Sequence, residues 1–312
     1  IYDPSLNIAF ESLNENAEYI KSQSGFADYY SGFGWFGTLE YLDNLSMFKF
    51  RMQNSDAQYF RGDYVNVNET IFDLASGWNW IGFTPQVSLD INTALNNIGD
   101  DNASYIKSQE AFADYYSGYG WFGQLSTMNP FSGYQIFMLN EDEFVYSNGM
   151  ARNDIAGIEP MISWDLNIYD YEYNGSATIE IILDGDRVAS ENILLGAFNG
   201  NECVGKVAPI EFPLTGNYIF PLMMYSNSIN SELTLKLFNL TTNEYINISE
   251  KFDFVSDIDP SNTWSIIGQT YKALISGNIK KPPLDSLHVM PFILLNPSTI
   301  KFLLKINFLT IL

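Results

Sequence analysis

Residues 105–123, Tyr105-Ile106-Lys107-Ser108-Gln109-Glu110-Ala111-Phe112-Ala113-Asp114-Tyr115-Tyr116-Ser117-Gly118-Tyr119-Gly120-Trp121-Phe122-Gly123, repeat residues 19–37 with 16 identities in 19 aligned positions at a constant offset of 86. Chance does not produce such a match, so the chain holds two copies of one folding unit. The likeness spreads outward. Leu39 aligns with Leu125, Ser46 with Ser132, Phe48 with Tyr134 and Met52 with Met138, and residues 6–13 match 91–98 with a one-residue gap. The period exceeds the roughly 20–50 residues of stacked solenoid repeats, so each copy reads as a small domain in a beads-on-a-string array.

The second copy can be read as a unit. Tyr64-Val65-Asn66-Val67 alternates as a strand does, and Gly77-Trp78-Asn79-Trp80-Ile81-Gly82-Phe83 puts apolar groups on both faces, as a central strand does. Period two places Trp78 and Trp80 on one face, read as core. Asp90 is the expected N-cap of a short helix through Ile91, Ala94, Leu95 and Ile98. The Tyr105–Gln109 strand, the aromatic segment 112–122 and a closing strand 134–138 behind the Pro130/Gly133 turn follow. The first copy's counterpart of 77–83 falls before residue 1, so the chain is expected to begin inside a module. The expected units are a truncated module at 1–52 and a complete one at 59–139.

Composition changes near Trp164. Residues 177–183 run into Asp184-Gly185-Asp186 and then Arg187, a hairpin signal, and Asn199-Gly200-Asn201 repeats it. Further strands are expected at 218–225, 233–238, 245–248 and 252–255, a spacing that fits an all-β sandwich, with Pro221 confining its strand to a sheet edge. The reading is an immunoglobulin-like β-sandwich over 160–258, and the expected fold class is mainly β with small α+β repeat modules ahead of it. Residues 259–312 form an anomalous tail. Residues 1–276 carry 11 basic and 36 acidic groups, while 277–312 carry four Lys and one Asp. Pro297, Lys301 and Lys305 interrupt the apolar run there, short of the roughly 20 residues a membrane helix needs, so a membrane partner is not expected.

Composition excludes several function classes. The 312 residues hold 37 acidic and 15 basic side chains, a formal charge of -22 that repels phosphate backbones and argues against nucleic-acid binding. One Cys, Cys203, and one His, His288, allow no internal disulfide and no cysteine- or histidine-built metal cluster. No Gly-x-Ser-x-Gly elbow or phosphate-binding glycine loop occurs, and Cys203 beside Val204 reads as a small buried hydrophobe. The expectation is no enzyme and no cofactor.

The order 77–83, then Tyr-Ile-Lys-Ser-Gln, then Tyr115-Tyr116-Ser117-Gly118-Tyr119-Gly120-Trp121-Phe122-Gly123, then Gly133-Tyr134, resembles the "GWNWI…IKSQ…YGWFG…GY" repeats of large secreted or cell-surface bacterial proteins. Residues 196–205, Gly-Ala-Phe-Asn-Gly-Asn-Glu-Cys-Val-Gly, are similar to an "AFxGxECxG" β-module that accompanies those repeats. The resemblance covers about 1–258 and implies an extracellular, repetitive, non-catalytic part of a larger protein, with no residue-level mechanism. Residues 259–312 depart from it.

Three candidate sites follow. Tyr29, Tyr30, Trp35 and their counterparts Tyr115, Tyr116, Trp121, joined by Phe33 and Tyr119, present flat rings suited to sugar C–H faces. The plainer reading is that both tryptophans plug module cores. Asp184, Asp186 and the pair Asp100-Asp101 are weak Ca²⁺ candidates, for Asp-Gly also serves a turn by geometry alone. Arg61-Gly62-Asp63 is read as a turn between strand residues Phe60 and Tyr64 rather than an adhesion tripeptide. The expected role is surface, adhesive or structural, with a glycan or other surface proteins as partners. The alternatives are a carbohydrate-binding module of a secreted hydrolase, or a filament subunit self-assembling through strand edges.

Overall fold

The computed structural model describes residues 1–63, 65–147, 164–183, 186–187, 190–256, 269–275 and 288–291. It is mainly β. Two compact units divide the chain, Ile1–Ile162 and Ser163–Leu312.

In the first copy a one-turn helix α1 (Leu6–Ala9) precedes strands β1 (Ala17–Lys21), β2 (Phe26–Tyr30), β3 (Gly34–Gly37) and β4 (Lys49–Met52), which form an antiparallel sheet in the order β3-β2-β1-β4. The second copy runs β5 (Phe72–Leu74), β6 (Gly77–Gly82), β7 (Leu89–Asp90), α2 (Ile91–Ala94), β8 (Ala103–Lys107), β9 (Phe112–Tyr116), β10 (Gly120–Gly123), β11 (Thr127–Met128), β12 (Gly133–Met138) and β13 (Asp142–Phe144). Its main sheet has the order β10-β9-β8-β12-β6, which is the first copy's order with β6 added. Alternation selects the buried side. Ile20, Ala27 and Trp35 point into the first core, and Ile106, Ala113, Trp121 and Ile136 into the second.

Asp90 caps α2 as expected, its carboxylate accepting from the Asn92 and Thr93 N–H groups. Three expectations need correction. Val67 begins a 3₁₀ turn (Val67–Glu69) rather than ending a strand, and Tyr64 lies outside the described residues. Residue Phe60 is likewise not in a strand, and Arg61, Gly62 and Asp63 are exposed. The strand β6 ends the sheet instead of lying at its centre, and its core face carries Asn79 and Ile81, leaving Trp78 and Trp80 half-buried on the other face.

The two copies are not separate beads, because both lie in one unit and the outer edge of β6 is closed by the first copy. Ser46 bridges Ile81, the Gly82 N–H donates to the Leu45 carbonyl at 2.6 Å and the Met47 N–H to the Trp80 carbonyl at 3.3 Å. Where that pairing stops, Gln23 takes over. Its Nε2 donates to the Trp78 carbonyl at 2.7 Å, and its Oε1 accepts from the Trp80 N–H at 2.8 Å. A side-chain amide thus stands in for a neighbouring strand's peptide.

The second unit packs two sheets about one core. Strands β14 (Tyr173–Leu183), β15 (Asp186–Arg187), β16 (Ile193–Asn199), β17 (Glu202–Val207), β18 (Ile210–Phe212), β19 (Asn217–Ser226), β20 (Glu232–Asn239), β21 (Glu244–Asp253), β22 (Gln269–Ile275) and β23 (His288–Pro291) follow in order. One sheet is β18-β19-β14-β22-β23 and the other β17-β16-β20-β21. Ile179, Phe220 and Leu222 of the first meet Leu195, Leu235 and Leu237 of the second. The Asn199–Asn201 turn has Gly200 at φ 62°, as a tight hairpin needs. The strands expected at 245–248 and 252–255 are one continuous edge strand, β21. β19 is not at the sheet edge, but β18 pairs with it only over residues 217–219, so Pro221 sits where no N–H is required on that side. β22 runs parallel to β14, so strand pairing continues past residue 258.

Candidate functional site

The aromatic signature adopts the same local geometry in both copies. Trp35 and Trp121 are each 6% exposed, and Tyr29 and Tyr115 meet them edge-on at 5.5 and 5.3 Å between ring centroids. A helix asparagine holds each tryptophan. Asn7 Oδ1 accepts from the Trp35 N–H at 2.8 Å, Asn92 Oδ1 accepts from the Trp121 N–H at 2.7 Å, and Asn92 Nδ2 donates to the Trp121 carbonyl at 3.1 Å. The preceding glycines are required by this clamp. Gly34 and Gly120 have φ of 89° and 87°, and a Cβ on either would lie 2.2 or 2.3 Å from the asparagine oxygen. Both tryptophans are therefore core, as the plainer reading had them, and the rings of the candidate flat-ring site are divided between core and surface.

Tyr30 is 54% exposed, whereas its counterpart Tyr116 is half-buried, its hydroxyl pKa raised by burial and then by the nearby Asp114 carboxylate. Tyr115 donates to Asp100 Oδ1 at 3.0 Å, and burial followed by this bond raises its pKa. Ser117 donates to Asp101 Oδ2 at 3.3 Å, so both Asp100 and Asp101 are engaged by hydroxyl groups of the hairpin. Of the other Ca²⁺ candidates, Asp184 lies outside the described residues and Asp186 begins β15. Among the described residues no three His, Cys, Asp or Glu side chains converge as metal ligands.

A polar network unanticipated from the aromatic signature recurs in each copy. Asn102 Nδ2 donates to Asp142 Oδ2 at 3.1 Å, as Asn16 Nδ2 does to Asp56 Oδ2 at 3.1 Å, and Asn140 and Asn54 donate to Asn102 and Asn16 at 3.2 and 3.3 Å. All three pairs keep the offset of 86, which is the signal that would have found them.

A cleft of about 270 Å³ opens in the first copy between residues 5–7, 35–37 and 39–41. Glu40 is the sole carboxylate in its lining, beside the Trp35, Phe36 and Tyr41 rings. Cys203 is buried and donates weakly to the Gly205 carbonyl at 3.5 Å, and desolvation raises its thiol pKa, the environment of an unreactive core thiol.

The outer faces of the two sheets differ. In the second copy Tyr105, Lys107 and Phe112 are each fully buried. In the first, the equivalent Tyr19 and Lys21 are half-buried, and Phe26, Tyr30 and Phe36 are 45%, 54% and 56% exposed. At the aligned positions Gln135 and Phe137 of the second copy, the first carries Lys49 and Arg51. The Lys21 and Lys49 ammonium groups lie 5.9 and 5.3 Å from the Trp80 ring centroid.

A scan of protein-family models and searches of curated proteins and of solved structures return no match to this chain. Among the described residues no helix is long and apolar enough to cross a membrane.

Proposed function

We propose that this chain is a non-catalytic extracellular surface protein in which the joined modules and an immunoglobulin-like spacer serve a structural and adhesive role. One observation carries the reading: the repeated signature is spent on holding the fold. Trp35 and Trp121 fill cores, Asn7 and Asn92 clamp them, and Gln23 joins one copy to the next. A signature conserved between copies by packing and joining is what a load-sharing repeat requires, whereas a reacting site requires converging polar groups. Two antiparallel-rich sheets around one core support the spacer reading of the second unit. The strand-edge filament reading is weaker at β6, whose outer edge the first copy already closes.

Antibodies against the purified chain, applied to intact cells of its source, test the proposal. Labelling of unpermeabilised cells, abolished by brief external proteolysis, is expected. Recovery of the protein solely inside the cytosolic fraction would overturn it.

A further inference from the structure

The first copy's outer sheet face combines rings and cations in a way the rest of the sequence does not lead one to expect. Strand register puts Tyr19 beside Arg51 and Lys21 beside Lys49, and on the other side Tyr19 beside Asp28 and Lys21 beside Phe26. Asp28 pairs in turn with Phe36. With side chains alternating, these residues share the face opposite Ile20, Ala27 and Trp35. Three of the chain's 15 basic residues thus stand on one small sheet beside the Asp28 and Glu18 carboxylates, a local excess of one positive charge within a molecule of net charge -22.

The second copy supplies the comparison. Its version of this face is a packed one, with Lys107 and Tyr105 fully buried and Phe137 and Gln135 in place of Arg51 and Lys49. Replacing a Phe and a Gln by Arg and Lys is the wrong direction for covering the first face with apolar protein, and the right one for an exposed anion site. A second copy of this chain would bring another -22 against it. A nucleic-acid duplex brings one charge per about 1.7 Å, a density that the acidic remainder of the molecule opposes. An acidic glycan spaces its anions along the chain and offers C–H faces between them. A sheet four strands wide, about 15 Å at the usual strand spacing, suits an extended oligosaccharide more than a single sugar.

We propose that the outer face of the first-copy sheet binds an acidic polysaccharide, with Phe26, Tyr30 and Phe36 against sugar rings and Lys21, Lys49 and Arg51 against the anionic groups. Arg51 already pairs with Glu18 at 2.9 Å, but that pair is exposed, and such pairs are weak enough for a ligand anion to compete. The proposal rests on the surface-protein reading and names the ligand class for it.

The test is affinity electrophoresis of the purified full chain in gels containing polygalacturonate, a sparsely substituted dextran sulfate or neutral dextran. Retardation by polygalacturonate or dextran sulfate and not by neutral dextran is expected, the two anionic arms separating carboxylate from sulfate recognition. The double variant Lys49→Gln/Arg51→Gln should weaken binding by about tenfold, the scale of two lost solvent-exposed ion pairs. Phe36→Ser, a second and independent variant, should weaken it too, while Tyr119→Ser on the second copy should not, with unchanged melting temperatures verifying the fold. No retardation by either anionic polymer, equal retardation by neutral dextran, or wild-type binding by the double variant would overturn the proposal. Because the gel uses purified protein and the labelling uses intact cells, either idea fails without the other.

Discussion

Asn92 is a small residue with a large share in the second copy's integrity. Its amide satisfies both the N–H and the carbonyl of Trp121, whose indole closes the core. Asn92→Ala leaves those part-buried groups unpaired and should cost about 1–3 kcal/mol, read as a fall in the urea midpoint at constant slope. An unaltered midpoint would mean that water replaces the clamp. The reverse effect is expected at Tyr146. Its hydroxyl is fully buried without a hydrogen-bond partner among the described residues, and burial holds its pKa far above the ordinary phenol value. Tyr146→Phe removes a desolvated oxygen and keeps the edge-on ring contacts with Phe72, Phe83 and Phe144. It should therefore stabilise by about 1 kcal/mol in the same measurement, and destabilisation would show that the hydroxyl has a partner after all.

Among elements, the junction between copies hangs on an amide imitating a strand. Gln23→Ala strips two hydrogen bonds from β6. It should speed hydrogen exchange at the Trp80 N–H by about tenfold, for local opening made easier by about 1–1.5 kcal/mol, with little change in global melting. Unchanged exchange at Trp80 would show that Leu45 and Met47 suffice to close the edge. A turn-closing carboxylate gives the pH dependence. Burial alone would raise the Asp142 pKa, but hydrogen bonds from the Gly99 N–H, Asn102 Nδ2 and the Glu143 N–H outweigh it and hold the pKa below the usual carboxylate value. A lowered folded-state pKa means this stabilisation is complete above the unfolded value near 3.9 and lost as pH falls through the lower folded one. Asp142→Asn should flatten acid unfolding below about pH 4, followed by circular dichroism, and an unaltered acid limb would remove Asp142 from the account.

The elements also show what the sequence could disclose. The Asp90 cap and the Asn199–Asn201 turn were readable because each is local chemistry written in adjacent residues. Burial of Trp35 and Trp121 was readable because rings between close-turning glycines have few alternatives to a core. The face of β6 was not. Period two says which residues travel together, not which side finds a neighbour, and here Asn79 is satisfied in the core by Ala75 and Gly77 while both indoles turn outward. Nor was the fused β21, since polar residues inside a run end a buried strand but are tolerated in an edge strand. Gln23 escaped because its partner is 55 to 57 residues away.

At the scale of the whole molecule, 37 acidic against 15 basic groups set two pH effects against each other. Lowering pH toward the isoelectric point near 4.1 discharges carboxylates and relieves self-repulsion, which favours the compact state. Further lowering protonates groups such as Asp142 that the fold holds as anions, which disfavours it. Stability should therefore pass through a maximum on the acidic side of neutrality. Salt acts on one arm only. Raising ionic strength from about 0.01 M to 0.15 M shortens the screening length from about 30 Å to about 8 Å, which weakens long-range repulsion and scarcely touches hydrogen bonds made at 3 Å. Calorimetric melts across pH at the two salts should show the melting temperature at pH 7 rising with salt, and the maximum moving toward higher pH as repulsion ceases to matter. A melting temperature indifferent to salt at pH 7 would mean that the excess charge is already spread too thinly over the surface to act on folding.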